Sequence, residues 1–184
     1  FCTFILLLGT LLLQAQQQTQ DSTDYLANAD LLLGEKAYAK AKTAYNQHLA
    51  TYSNSPQAYQ GRGIANFYLE QTEAALEDLN KAVELRTYNA DVFLYRALCL
   101  MEKKEYVAAI SDFNKAIQEG SKDTRAFYQR ATAHFAQGDY NAAIKDFEQV
   151  IATRKNDEQL YFLRGEAYLQ LQNYAAAQAD FSES

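Results

Sequence analysis

Four side chains of types that carry proton and phosphate chemistry lie close together in the stretch FYQRATAHFAQGDYNAAIKDF, residues 127–147. They are Arg130, His134, Asp139 and Asp146. Histidine with a carboxylate is the pair that general acid–base catalysis uses most, and an arginine beside them could hold an anionic substrate. An active site needs such a constellation once. Here the arginine and one aspartate recur down the chain: Arg62, Arg96, Arg130 and Arg164, and Asp78, Asp112, Asp146 and Asp180, each 34 residues after the last. A pair copied four times is architecture, so these residues are expected to brace the fold.

His134 is one of two histidines, and its partner His48 is two and a half periods away, which argues against a shared metal site. Its position along the period is a packing position, held elsewhere by Leu32, Asn66, Leu100 and Tyr168, and packing is preferred over a catalytic base. The chain carries no HExxH, CxxC, P-loop, GxGxxG or GxSxG motif. No catalytic, cofactor-binding or metal-ligating residue is therefore assigned, and no enzyme is expected. Cys99 sits among Leu98, Leu100 and Met101 and is read as a small buried apolar residue.

The elements that position these residues follow from the same period. Tyr25, Tyr59, Phe93, Phe127 and Tyr161 form one column at 34-residue spacing, and Ala41, Ala75, Ala109, Ala143 and Ala177 another. Tyr45, Leu79, Phe113, Phe147 and Phe181 form a third, and Tyr38, Tyr106, Tyr140 and Tyr174 a fourth that only Thr72 interrupts. Inside one unit the apolar spacing is helical: Phe127, Ala131 and His134, then Ala143, Phe147, Val150 and Ile151. Gln137–Gly138–Asp139 separates the two sets, a break centred on glycine that can close one helix and open the next. Each unit thus reads as a helix, a tight turn and an antiparallel helix. Seven glycines and one proline in 184 residues, with alanine, leucine, glutamine, glutamate and lysine abundant, point to the same all-α class.

This pattern, aromatic-x2-R-[GA]-x-A followed by G-x-Y-x2-A-[IL]-x-D-F, resembles the tetratricopeptide repeat. The resemblance covers residues 22–184, as units 22–55, 56–89, 90–123, 124–157 and a shortened 158–184. It implies an α-solenoid of antiparallel helix pairs wound as a right-handed superhelix. Small residues stand where the family packs its two helices closely: Ala29, Gly63, Ala97, Ala131 and Gly165. The family's usual proline near the end of each unit is replaced by Ser53, Thr87, Ser121 and Lys155. Because the chain stops inside the second helix of the fifth unit, it reads as a fragment.

The resemblance also implies where a partner would sit, since first helices of the family line a concave groove. Carried over by repeat position, the groove residues are Leu26, Asp30, Leu33, Gln60, Ile64, Phe67, Leu94, Leu98 and Met101, then Tyr128, Thr132, Phe135, Phe162, Glu166 and Leu169. Such a trough suits a helix or an extended peptide with apolar anchors. The Lys and Asn pattern by which some family members grip a C-terminal carboxylate is missing, since Leu26, Gln60, Leu94, Tyr128 and Phe162 stand where its lysine would be. A net charge of −6 and 17 scattered basic residues argue against nucleic acid as the partner. The expected function is a protein-interaction scaffold. The alternative is an N-terminal targeting or regulatory region of a larger enzyme or signalling protein. Self-association through the last repeat is a third expectation.

Residues 1–16 begin with the uncharged apolar run FCTFILLLGTLLL, and residues 17–21 form a polar linker. The run resembles the apolar core of a secretory signal peptide, with cleavage near Ala15 or Gln16. Export of a bacterial type, to the periplasm or beyond, is expected, with membrane anchoring by an uncleaved segment as the alternative.

Overall fold

A computed structural model describes residues 25–184; the signal-like segment, the linker and the first residues of the repeat region lie outside them. The described chain is all-α, without a strand, and divides into two compact units between Thr87 and Tyr88. The first contains α1 (25–34), α2 (Tyr38–Thr51), α3 (Pro56–Tyr68) and α4 (Thr72–Glu84). The second contains α5 (Ala90–Glu102), α6 (Tyr106–Gln118), α7 (Thr124–Ala136), α8 (Tyr140–Thr153), α9 (Glu158–Gln170) and α10 (Tyr174–Glu183). Within each unit, successive helices pack as antiparallel pairs, and each pair packs on the next.

Small side chains at the crossing let the two helices of a pair approach. Ala41, Ala75, Ala109 and Ala143 are wholly buried, as are Ala29, Ala97 and Ala131 opposite them. At two crossings even alanine is too big. A Cβ on Gly63 would come within 2.8 Å of Leu79 Cγ, and one on Gly165 within 2.7 Å of Phe181 Cε1. Gly61 lets α2 close in as well, because a Cβ there would run into the Tyr45 ring. Tyr45 is fully buried, and its hydroxyl donates to Asp30 Oδ1 across 2.6 Å. Burial, then the Asp30 carboxylate, pushes that phenol far above its ordinary pKa.

The helix turns are built alike although only one contains glycine at its left-handed position. Lys36, Glu70, Lys104, Gly138 and Gln172, at 34-residue spacing, all adopt left-handed backbone with φ between 58° and 79°. In the fourth unit Asp139 N–H donates to His134 O at 2.9 Å and Gly138 N–H to Phe135 O at 3.0 Å. This is the Schellman closure, which satisfies carbonyls that the ending helix leaves unpaired. The same two bonds recur at Gln71 and Glu70, and at Glu105 and Lys104. Four non-glycine residues therefore accept a conformation that costs about 1 kcal/mol each, because the turn's hydrogen bonds and the helix packing over-determine it. Arg86 and Gly120 close α4 and α6 in the same way, so the missing proline is not needed to stop those helices.

Candidate functional site

The recurring arginines and aspartates meet in every unit that has both. Arg62 donates through Nε and Nη2 to Asp78 at 2.9 and 2.6 Å, and Arg96 to Asp112 at 2.6 and 2.8 Å. Arg130 reaches Asp146 at 2.7 and 2.6 Å, and Arg164 reaches Asp180 at 2.8 and 2.6 Å. All four contacts are bidentate, the geometry in which a planar guanidinium binds a carboxylate best. The four aspartates are buried and the arginines keep a small exposed edge. Each guanidinium also lies over the aromatic ring three residues earlier, 5.4 to 5.8 Å from the centroids of Tyr59, Phe93, Phe127 and Tyr161.

The third donor of the guanidinium has a use that spacing did not suggest. Arg62 Nη1 donates to Asn46 Oδ1 at 2.7 Å, and Arg130 Nη1 to Asn114 Oδ1 at 2.6 Å, in each case on the second helix of the preceding pair. One arginine thus ties its own pair together and joins it to the pair before. Asn46, Asn80 and Asn114 are themselves 34 residues apart, so the signal was present in the sequence. At the equivalent place stands Glu148, whose negative charge adds to the burial that raises the pKa of the Tyr168 phenol. In the first unit Asn66 Nδ2 also donates to Asp78 Oδ2 at 2.9 Å, while Asn66 Oδ1 is buried without a partner.

The two histidines have separate neighbours, one set in each unit. His134 Nδ1 lies 3.7 Å from Asp139 Oδ2, and that residue's carboxylate caps α8 through Ala142 N–H at 3.1 Å. His48 is buried against Tyr52, with ring centroids 5.2 Å apart. Among the described residues no group of three or more His, Cys, Asp or Glu side chains could hold a metal ion. Cys99 is buried and forms no disulfide.

The predicted groove residues divide by depth. Ile64, Leu94 and Leu98 are buried, so they are core and cannot touch a partner; repeat position gave their direction but not what packs over them. In the first unit Leu26, Leu33, Gln60 and Phe67 are half-buried and Asp30 is exposed, although Asp30 is engaged by Tyr45. Phe67 meets Tyr68 edge-on, and Tyr68 stacks on Tyr38 at 4.4 Å, an aromatic cluster within that unit. In the second unit Met101, Tyr128, Thr132, Phe135 and Glu166 are half-buried, and Phe162 and Leu169 are 46% and 43% exposed. The Thr132 hydroxyl donates back to Tyr128 O at 3.0 Å, and Phe135 packs edge-on against Tyr140. No helix of the described residues is long and apolar enough to cross a membrane.

Comparison with known proteins agrees with this architecture. Two family models match, one described as tetratricopeptide repeat over residues 61–124 and one as TPR repeat over residues 131–172, together more than half of the chain. Among solved structures, YrrB, described as a TPR protein with an unusual peptide-binding site, superposes with a TM-score of 0.81 at 21% identity, covering 91% of this chain and 87% of its own. A crystal structure of MamA gives 0.76 at 22% identity, covering 88% of both chains. A mutant form of MamA gives 0.83 at 16% identity, covering 90% of this chain and 96% of its own. No curated protein matches in sequence. The helix pairs, the 34-residue columns and the two family matches make this chain a member of the tetratricopeptide-repeat family.

Proposed function

We propose that this chain is a non-enzymatic scaffold that holds a partner protein, through a peptide segment, on the open face of the first helices of its second unit. The observation that carries the reading is on α9. Phe162 and Leu169 are two large apolar side chains on one helical stripe, nearly half exposed, whereas the large side chains at the equivalent repeat positions are half-buried or, as Leu94, buried. Half-buried Tyr128 and Phe135 on α7 and Met101 on α5 extend the apolar character to the other first helices of that unit. Aromatic and methionine side chains of this kind supply contact area at low entropic cost and adapt to peptide anchors. The peptide-binding site of YrrB, a protein of the same fold, supports the same use of the helix array.

The test is capture of a partner by the purified chain, its identification by mass spectrometry, and calorimetric titration with the purified partner. Phe162→Glu and Leu169→Glu, both outward on α9, are expected to weaken binding at least tenfold while leaving the helical content unchanged. Equal affinity of both variants and the parent chain would refute the assignment of this face. We also propose that residues 1–16 direct export; N-terminal sequencing of the mature protein tests this, and a mature chain that retains Phe1 would exclude cleavage.

A further inference from the structure

We infer that the first-helix face of the second unit takes a basic peptide segment, with a lysine or arginine on Glu166 and apolar side chains beside it on Phe162 and Leu169. The inference rests on the proposed docking face and adds to it the charge of the occupant. Glu158, Phe162, Glu166 and Leu169 follow one another at steps of four, four and three residues, so they form a single stripe along α9. Acid alternates with apolar side chain along it. Glu166 is half-buried between the two exposed apolar groups and has no hydrogen-bond or ion-pair partner among the described residues.

The wider face gives that carboxylate no compensation. Besides Glu166, the acids of α5, α7 and α9 are Asp91 and Glu158, which lie in first helical turns where the helix N-terminus favours them, and Glu102, which has an interaction of its own. The arginines of these helices are all engaged already. Arg96, Arg130 and Arg164 hold Asp112, Asp146 and Asp180, and Arg125 holds Asp123 through its Nε at 2.8 Å. Glu166 therefore stands above an apolar floor with no unengaged arginine on these helices to pair with it. A cation placed on Glu166 sits between Phe162 and Leu169, where exclusion of water strengthens the attraction. The methylene stem of a lysine or arginine covers the same apolar groups. An acidic segment would meet like charge at Glu166, the reverse of a groove built to grip carboxylates.

Selection of short displayed peptides on the full chain, from a library without compositional bias, tests this. Calorimetry then follows with the leading peptide made synthetically. The leading peptides are expected to carry Lys or Arg with an aliphatic or aromatic residue close by. Glu166→Gln should weaken the peptide about tenfold and Glu166→Lys about a hundredfold. Phe162→Ala should weaken it as well, and binding should fall as salt rises. If the leading peptides lack a basic residue, or both Glu166 variants bind like the parent while Phe162→Ala does not, the charge assignment is overturned and the docking face stands. If no peptide is enriched, or none of the three variants alters binding, the docking face falls with it.

Discussion

Replacing Asp146 by alanine strips Arg130 of two charge-assisted hydrogen bonds, of 2.7 and 2.6 Å, and leaves a guanidinium whose side chain is only 18% exposed. Removing one partner of a buried pair costs roughly 3–5 kcal/mol, because the remaining charge is neither paired nor fully hydrated. Arg130 keeps its bond to Asn114 Oδ1 and can draw water to its open edge, which places the cost near the lower end, about 3 kcal/mol. For a chain of this size that lowers Tm by roughly 6–12 °C. The double variant Asp146→Ala with Arg130→Leu removes the stranded cation and puts an apolar side chain beside the Phe127 ring that Arg130 now covers. Exposed Asn114 is then simply rehydrated. The double variant is expected within about 1 kcal/mol of the parent chain, well above the single variant. Urea unfolding followed by circular dichroism measures both. A double variant as unstable as Asp146→Ala, or less stable, would refute the claim that the cost lies in the uncompensated arginine.

The left-handed turn residues give an opposed pair of substitutions. Gly138→Ala should destabilise by about 1 kcal/mol through backbone strain alone, since no atom lies within 4 Å of the added Cβ, and Lys104→Gly should stabilise by a similar amount. Melting temperatures moving in the same direction would contradict this. Gly61→Ala should cost about 1–3 kcal/mol by driving a methyl into the Tyr45 ring, whereas Gly34→Ala, which meets nothing, should not destabilise; thermal melts compare the two. Asp123 caps α7 through Arg125 N–H at 2.8 Å, and its removal as Asp123→Ala should cost about 1 kcal/mol at neutral pH. Burial acts to raise the Asp123 pKa, but the Arg125 side chain and backbone N–H hold it below the usual carboxylate range. The carboxylate therefore stabilises fully above its unfolded pKa of about 4 and loses that contribution as pH falls through the lower folded value. Stability curves of parent and variant should converge on the acid side; curves that stay parallel down to the acid transition would refute the linkage.

Much of the fold was legible because packing repeats at one period. Side chains that meet between two antiparallel helices must recur wherever the pair recurs, so Phe127, Ala131, Ala143 and Phe147 announced the helix pair, and a separation of sixteen residues announced the Arg130–Asp146 contact. The turns were less legible. Gly138 signals one openly, but Glu70 and Lys104 occupy the same left-handed backbone with no local preference for it, because the closing hydrogen bonds and the packed helices impose it. The acceptors Asn46 and Asn114 were missed for another reason: they belong to the pair before the arginine they bind, outside the unit in which a partner was sought.

Depth was the quantity that repeat position could not supply. Ile64 and Glu166 hold the same position in their units, as do Leu94 and Phe162, yet the first of each pair is buried and the second is open or half-open. The helix pairs, their small-residue crossings and the arginine braces are written in the order of the residues, since each depends on contacts inside one period. Which first-helix side chains remain available is a property of the packed molecule. Exposure depends on every element around a residue, and a column of equivalent positions carries no record of that.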